Sequence, residues 1–177
     1  QEIQNIASGK VEYVVCDITK SEDITRAIQF TVNNFGKIDI LINNSGGPPA
    51  GSIEELRDED WYKAFDLNLL SYVRIIREVL PYMKKQRSGR IINLASSSVK
   101  QPIPGLMLSN TLRTGIVGLT KTLSIELAPY NILVNTVSPG RIGTDRVNEL
   151  DYIKANQLGV SIEQVREESI KNIPLGR

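Results

Sequence analysis

Short apolar, β-branched segments alternate along the chain with longer segments in which apolar residues recur every three or four positions. The first kind predicts strands and the second amphipathic helices, in the order strand 11–17, helix 22–34, strand 38–44, helix 60–85, strand 89–96, helix 109–128 and strand 131–138. Strands that alternate with helices of this length are typical of βαβ units with right-handed crossovers. The pattern therefore predicts an α/β fold with a doubly wound parallel sheet and helices on both faces.

Start and stop signals flank the first predicted helix. Thr19 with Glu22, or Ser21 alone, is placed to cap its N-terminus, and the glycine-centred segment 35–37 ends it. In the helix at 109–128, Gly115 and Gly118 interrupt the apolar repeat. Because each glycine costs about 1 kcal/mol relative to alanine, we expect both to permit the close approach of a neighbouring element.

The last part of the chain, from residue 141 onward, changes to polar and charged helical segments, with Ser161 and Gln164 forming a capping box. We interpret residues 145–177 as a substrate lid within a single domain that spans 1–177, because neither a repeat nor a flexible linker divides the sequence. An apolar inner face is predicted for this lid, formed by Val147, Leu150, Tyr152, Ile153 and Leu158.

The amino-acid composition mainly excludes certain partners, sites and reactions. The 177 residues carry a formal net charge of +1, which gives no sign of a nucleic-acid or membrane partner. The sequence has no histidine, which removes serine–histidine hydrolase chemistry and histidine metal sites, and we expect no metal. Cys16 is the single cysteine, so no internal disulfide framework forms, and no apolar run reaches the ~18 residues of a spanning helix. We therefore expect a cytoplasmic protein.

Short polar residues and glycines follow each predicted strand. In chain order they are Asp17 and Ile18, then 43–47, then 96–98, then 139–144. Ligands bind open parallel sheets outside the carboxyl ends of the strands, where these four clusters would meet. Each cluster alone is also typical of a helix cap or an ordinary turn. Their common position at strand ends favours a binding site.

The same clusters carry a resemblance to the short-chain dehydrogenase/reductase family. The matching segments are DIT at 17–19, DILINNSGG at 39–47, NLLS at 68–71, GRIINLASSS at 89–98, GIVGLTKTLSIELAPYNILVN at 115–135 and SPGRIGTD at 138–145. They cover essentially the whole chain in the family's order and most resemble reductases of the 3-oxoacyl carrier-protein kind. The resemblance implies a Rossmann-like fold, NAD or NADP as cofactor, and hydride transfer between the nicotinamide and a carbonyl or hydroxyl group of a small molecule.

The resemblance also implies cofactor contacts, position by position. Asp17 and Ile18 match the pair that contacts the adenine, and Asn43 matches the motif's first asparagine, which ties neighbouring strands together. The turn beneath the adenosine ribose is matched by Asn44, Ser45 and Gly46. The segment that holds the nicotinamide end is matched by Pro139, Gly140, Ile142 and Thr144.

Four catalytic groups complete what the resemblance implies: an asparagine that organises a water relay, a serine that binds the substrate oxygen, a tyrosine acid/base, and a lysine that holds the ribose. Asn68 and Ser96 match the first two, but Ser109 and Arg113 occupy the tyrosine and lysine positions. A serine hydroxyl is a far weaker acid than a phenol. Arg113 keeps the positive charge and can still hold ribose hydroxyls, so it is included among both the catalytic and the cofactor-binding residues.

Three hypotheses follow from this substitution. The protein reduces a carbonyl with altered proton delivery through Ser96, Ser109, Arg113 and a water chain at Asn68. Alternatively it binds a nicotinamide cofactor without turnover, as a sensor or partner subunit. A third hypothesis is another reaction in the same cleft, such as elimination or epimerisation, because a fold does not fix a function.

The family's glycine-rich phosphate loop does not occur in this sequence. We therefore expect that the first βαβ segment and the last strand of the sheet are lacking from the chain. The residue that separates NAD from NADP lies at the end of a strand in that segment, so the cofactor preference cannot be read. The helices at 60–85 and 109–128 match the elements through which family members assemble, which predicts a homo-oligomer, either a dimer or a tetramer.

Overall fold

The computed structural model describes residues 6–176, so residues 1–5 and 177 of the predicted domain lie outside the described residues. Its helices are α1 (Ser21–Phe35), α2 (Asp58–Phe65), α3 (Ser71–Gln86), α4 (Met107–Leu127), α5 (Asp145–Leu158) and α6 (Ile162–Lys171). Its strands are β1 (Ile40–Asn43), β2 (Gly89–Leu94) and β3 (Ile132–Val137). A π-helix at Asp66–Leu70 joins α2 to α3, and short 3-10 turns lie at Ser97–Val99 and Ala128–Tyr130.

The three strands form a parallel sheet in the order β1-β2-β3. Ile40 of β1 lies opposite Arg90 of β2, and Gly89 of β2 lies opposite Ile132 of β3. Each neighbouring pair of strands is connected through helices, so the crossovers predicted from the sequence are present. The strands predicted at 38–44, 89–96 and 131–138 are confirmed, with shorter bounds, and the carboxyl ends of all three meet at one edge.

The strand predicted at 11–17 is wrong. This segment forms no regular secondary structure and joins no strand of the described part of the chain. Tyr13 and Val15 are 75% and 83% exposed, although their β-branched and aromatic neighbours favoured a strand. A strand is stabilised by a partner with which it exchanges main-chain hydrogen bonds. Here the carbonyl oxygen of Val15 accepts a bond from Arg26 of α1 instead.

The main core lies between one face of the sheet and helices α1, α3 and α4. Its fully buried residues include Ile91 and Ile132 from the strands and Val79 and Met83 from α3. Every second residue of a strand points to the opposite face of the sheet, and the side chains on that face are more exposed. They include Ile40 and Ile42, each 60% exposed, and Leu133, 48% exposed. The helices that build the core therefore cover one face of the described sheet.

The start of α1 differs from its prediction. Neither Thr19 nor Ser21 caps the helix, because its N-cap is Lys20 and no side chain bonds to the first turn from that position. Asp17 closes the preceding turn by accepting bonds from the main-chain N–H and the hydroxyl of Thr19, at 3.0 and 2.7 Å. The stop signal is confirmed, since Gly36 ends α1 in the left-handed region with φ 77°.

The glycines of α4 differ from each other in surroundings. A Cβ added at Gly115 would lie 3.0 Å from Cδ2 of Leu69, so this glycine permits the predicted close approach. At Gly118 an added Cβ would meet no atom within 4 Å, and the prediction of close approach is wrong there. Gly118 faces away from the sheet and is exposed.

Helices α5 and α6 follow the sheet and contact each other. Thr144 and Ser161 cap their N-termini, and the predicted capping box of Ser161 with Gln164 is confirmed. Asp151 of α5 is only 2% exposed and forms ion pairs with Arg141 of the preceding loop and Arg166 of α6. This carboxylate therefore ties the two helices to the segment that leaves β3.

Candidate active site

A chain of side-chain hydrogen bonds crosses the sheet near the carboxyl ends of the strands. Asn43 donates to Asn93 at 2.8 Å, and Asn93 donates to the hydroxyl of Thr120 on α4 at 2.9 Å. The Thr136 hydroxyl of β3 bonds to the same Thr120 oxygen at 2.8 Å. Asn43 thus links β1 to β2, which agrees with the strand-tying role that the resemblance implies for it.

Asn68 lies on the π-helix rather than on a continuous α-helix. The sequence predicted one uninterrupted helix over 60–85, but a π-helical turn inserts at Asp66–Leu70. Such turns occur mostly as single insertions in α-helices and often lie at functional sites. Asn68 is fully buried, and its Nδ2 donates to the hydroxyl of Ser45 at 3.0 Å and to the carbonyl of Gly46 at 2.5 Å. Its Oδ1 is buried without a hydrogen-bond partner among the described residues.

Arg113 is buried, with 6% of its surface exposed. Its Nη1 donates to the carbonyl of Leu94 at 2.9 Å and to the hydroxyl of Tyr72 at 3.2 Å. Its Nη2 donates to the carbonyls of Ser45 and Gly46 at 3.2 and 3.4 Å. The guanidinium therefore reaches the carboxyl ends of both β1 and β2.

Tyr72 is the residue of this site that the sequence analysis missed. It lies in the first turn of α3, is fully buried, and donates its hydroxyl to the carbonyl of Leu94 at 3.0 Å. Its position, four residues after Asn68, was interpreted only as part of a helix. No signal in the sequence separates it from a core aromatic residue, because its partners come from β2 and α4.

The two candidate serines have different surroundings. Ser96 follows β2, and its oxygen accepts the main-chain N–H of Ser98 at 3.2 Å, which caps the 3-10 turn. Ser109 lies in the first turn of α4, four residues before Arg113 and therefore on the same helix face. Its hydroxyl forms no hydrogen bond to any residue within 6–176, and the residue is half-buried. The hydroxyl of Ser98 is buried and also has no partner within that range.

The predicted adenine-side residues lie at the turn before α1. The hydroxyl and main-chain N–H of Thr19 hold the pKa of Asp17 below its usual range, with a smaller contribution from Lys20. Ile18 beside it is half-buried, and Asn44, in the turn after β1, is exposed. Arg74 of α3 donates to the carbonyl of Thr19 at 2.9 Å and pairs with Asp66, which anchors this turn to the helix that follows the π-turn.

The predicted nicotinamide-side segment leaves β3 as an open loop. Pro139 is half-buried, Gly140 and Thr144 are exposed, and Ile142 is 61% exposed. Thr144 is partly occupied as the cap of α5, where its hydroxyl accepts the N–H of Val147 at 3.4 Å. Two residues later, Arg146 donates to the carbonyl of Pro48 at 2.6 Å. This bond links the start of α5 to the loop after β1.

A cleft of about 1000 Å³ lies between α5 and the loops at 49–52 and 103–106. Leu150, Ile153 and Leu158 line it, which are three of the five residues predicted for the inner face of the lid. Val147 and Tyr152 lie outside this lining, and Tyr152 is 58% exposed. The second loop leads directly into α4, so the cleft adjoins the helix that carries Ser109 without being lined by it.

The described residues fit the two ends of a dinucleotide. Gly46, Gly140 and Gly143 each have open space where a Cβ would stand, which leaves room for a flat ring close to the main chain. The buried, unpaired oxygens of Asn68 and Ser98 lie near the strand ends and could accept or donate further bonds. No glycine-rich loop for the pyrophosphate is part of this sequence.

None of the helices in the described part of the chain is both long and apolar enough to cross a membrane.

Comparisons with known proteins agree with this arrangement. The family model of the short chain dehydrogenases matches residues 1–153. A 3-oxoacyl-acyl-carrier-protein reductase, FabG of Thermotoga maritima, is 34% identical over 169 residues, which is 96% of this chain and 64% of that protein. The chain therefore spans less than two thirds of the length of this relative.

Two solved structures of dehydrogenases or reductases are similar to this chain in fold. An actinorhodin polyketide ketoreductase with NADPH superimposes with a TM-score of 0.87 and 32% identity, covering 92% of this chain and 63% of that one. An NAD⁺-bound xylitol dehydrogenase superimposes with a TM-score of 0.85 and 28% identity, covering 93% of this chain and 65% of that one. The three-stranded sheet with its helices is thus a Rossmann-like arrangement.

Proposed function

Because the chain belongs to the short-chain dehydrogenase family, we propose that it forms the active-site part of an NAD(P)-dependent oxidoreductase. The reaction is hydride transfer between the nicotinamide and a carbonyl or hydroxyl group of a small molecule. The relatives include a protein named as a reductase and a structure named with NADPH, and another structure is named with NAD⁺. Both cofactors are therefore candidates, and the cytoplasm stays the expected location.

One observation carries this proposal: Asn68 and Arg113 both donate to the carbonyl of Gly46. The three residues come from separate segments of the chain, and the resemblance assigns all of them to the same site. Ser109 lies on the face of α4 that also carries Arg113. The convergence supports a binding site at the carboxyl edge of the sheet.

In this proposal the cofactor supplies the hydride, and the residues of the chain bind and orient the ligands. Ser96 and Ser109 would donate hydrogen bonds to the substrate oxygen. Asn68 would hold a water from which a proton can be delivered. Proton delivery through this water and the two serines must be slower than proton delivery from a phenol, because neither serine is an effective acid at neutral pH.

A second candidate function is cofactor binding without turnover. The four hydrogen bonds of Arg113 go to neutral acceptors of the protein, so its guanidinium is occupied before any ligand arrives. That observation, together with Ser109 at the acid/base position, favours a sensor or partner subunit over an efficient enzyme. The two candidates share the cofactor site and differ only in turnover.

The test is a titration of the purified full-length protein with NADH and NADPH, followed by absorbance assays at 340 nm with a panel of ketones and alcohols. Turnover that disappears in the double variant Ser109→Ala, Arg113→Ala supports the oxidoreductase. Binding with no turnover above that variant supports the second candidate. Absence of binding for both cofactors contradicts both.

A further inference from the structure

The resemblance implies a lysine at position 113. Arg113 differs from such a lysine in the bonds that its charged group forms. It is 6% exposed, and it forms no ion pair with any carboxylate of the described residues. Its four hydrogen bonds go to three main-chain carbonyls and one phenol. A planar guanidinium with five donors can bond to several fixed acceptors at once, whereas an ammonium is a point charge on a flexible stem.

The acceptors of Arg113 belong to different elements. Leu94 is the last residue of β2, and Ser45 and Gly46 lie two and three residues after the end of β1. Through these bonds, one side chain of α4 joins the carboxyl ends of two neighbouring strands. Ser45 and Gly46 lie in the turn that the proposed function places beneath the adenosine ribose.

Tyr72 completes the arrangement. Its hydroxyl donates to the carbonyl of Leu94 and accepts from Nη1 of Arg113, so Leu94, Tyr72 and Arg113 form a closed triangle of hydrogen bonds. Because Tyr72 is fully buried, it can act on a ligand only through other residues. Asn68 strengthens the same turn from the π-helix by its bonds to Ser45 and Gly46.

We propose that Arg113 and Tyr72 are a positioning pair, which fixes the 44–47 turn for cofactor binding, and that Arg113 does not hold the ribose as the lysine would. This inference rests on the proposed function for the identity of the ligand. It predicts that lysine at position 113 lowers cofactor affinity, because an ammonium cannot bond to Leu94, Ser45 and Gly46 together. It also predicts that removal of the Tyr72 hydroxyl lowers the affinity without any contact to the ligand.

The experiment compares Arg113→Lys and Tyr72→Phe with matched controls, Arg77→Lys on α3 and Tyr13→Phe in the segment before α1, both exposed. The dissociation constants for NADH and NADPH are measured by fluorescence titration. Hydrogen–deuterium exchange of the peptide that covers residues 43–51 is measured without ligand. We expect Arg113→Lys to bind about tenfold more weakly and Tyr72→Phe about three- to tenfold more weakly, with faster exchange in both, since bonds to charged groups are the stronger ones.

The controls should bind and exchange as the unsubstituted protein does. Unchanged exchange in both test variants would overturn the positioning role, whatever the affinity. Tighter cofactor binding by Arg113→Lys would indicate that residue 113 holds the ribose, and it would also overturn the positioning role. If the unsubstituted protein binds neither cofactor, the proposed function fails, and the exchange rates still decide the positioning role. Tyr72→Phe retains the ring and keeps the test available if Arg113→Lys does not fold.

Discussion

Single residues determine what chemistry the site at the strand ends can support. The sequence indicated that Asn68 and Arg113 belong to the site, because each stands at a position that the family motifs fix, and both lie at the strand ends. It could not indicate that the guanidinium is already bonded to Leu94 and Tyr72. Those partners are 19 and 41 residues away along the chain, and only the folded structure brings them together.

The thiol of Cys16, a partly buried residue, allows a direct test of a shifted pKa. Burial raises the pKa of its thiol, the carboxylates of Asp23 and Asp17 raise it further, and Arg26 acts in the opposite direction. Since the thiolate is the reacting species, iodoacetamide should label Cys16 more slowly in the folded protein than in the unfolded protein at every pH from 7 to 9. Peptide mapping of the labelled protein measures the rate, and labelling in urea provides the unfolded reference. A folded rate equal to the reference would contradict the raised pKa.

At the scale of elements, the repeat of apolar residues located the helices well but did not reveal where their geometry changes. The helix predicted at 60–85 contains a π-helical turn at Asp66–Leu70, and this turn carries Asn68. Apolar spacings of three or four residues predict a helix, but they do not separate an α-helical turn from a single π-helical turn. The composition of the segment at 11–17 favours a strand, but this segment joins no strand of the described sheet.

The two glycines of α4 predict different changes in stability when each is replaced by alanine. Replacement of Gly118 by alanine should raise the free energy of unfolding by about 0.5–1 kcal/mol, because alanine favours the helix and meets no atom there. Replacement of Gly115 should gain less or lose stability, because the new Cβ would stand 3.0 Å from Leu69. Urea unfolding of both variants measures the difference. A larger gain at Gly115 than at Gly118 would contradict the structure.

At the scale of the whole molecule, charged contacts hold the region after β3 together, and Arg146 bonds this region to the loop after β1. Asp151 is 2% exposed and pairs with Arg141 and Arg166, whose side chains are 35% and 48% exposed. Arg146 adds the bond to the carbonyl of Pro48. Helices α5 and α6 therefore depend on charged and polar contacts more than the helices that cover the sheet.

Replacement of Asp151 by asparagine should destabilise this region. We expect a loss of about 1–3 kcal/mol, below the 3–5 kcal/mol of a fully buried pair, because both arginines remain partly in water. Limited proteolysis should then cut within 141–171 faster than in the unsubstituted protein, and urea unfolding measures the total loss. Asp145→Asn, on the same helix and exposed, is the control. Equal cleavage rates for Asp151→Asn and Asp145→Asn would contradict the stabilising role of the Asp151 ion pairs.

The predicted homo-oligomer is also a property of the whole molecule. Tyr62 and Phe65 of α2 and Ile125 of α4 are 72%, 42% and 77% exposed, and they lie on the helices through which assembly is expected. Association would remove these apolar side chains from water, which is favourable. Sedimentation velocity should show a dimer or a tetramer, and a monomer at micromolar concentration would contradict the prediction.

The sequence by itself determined the α/β order, the three strands at 38–44, 89–96 and 131–138, and the convergence of polar residues at their ends. Periodicity and turn residues are local signals, and helical crossovers between parallel strands bring the carboxyl ends of those strands to one edge. Only the tertiary structure decided that 11–17 forms no strand, that Asn68 lies on a π-helix, and that Tyr72 and Arg113 bond to each other. Each of these depends on a partner distant in the chain, and local patterns carry no information about such a partner.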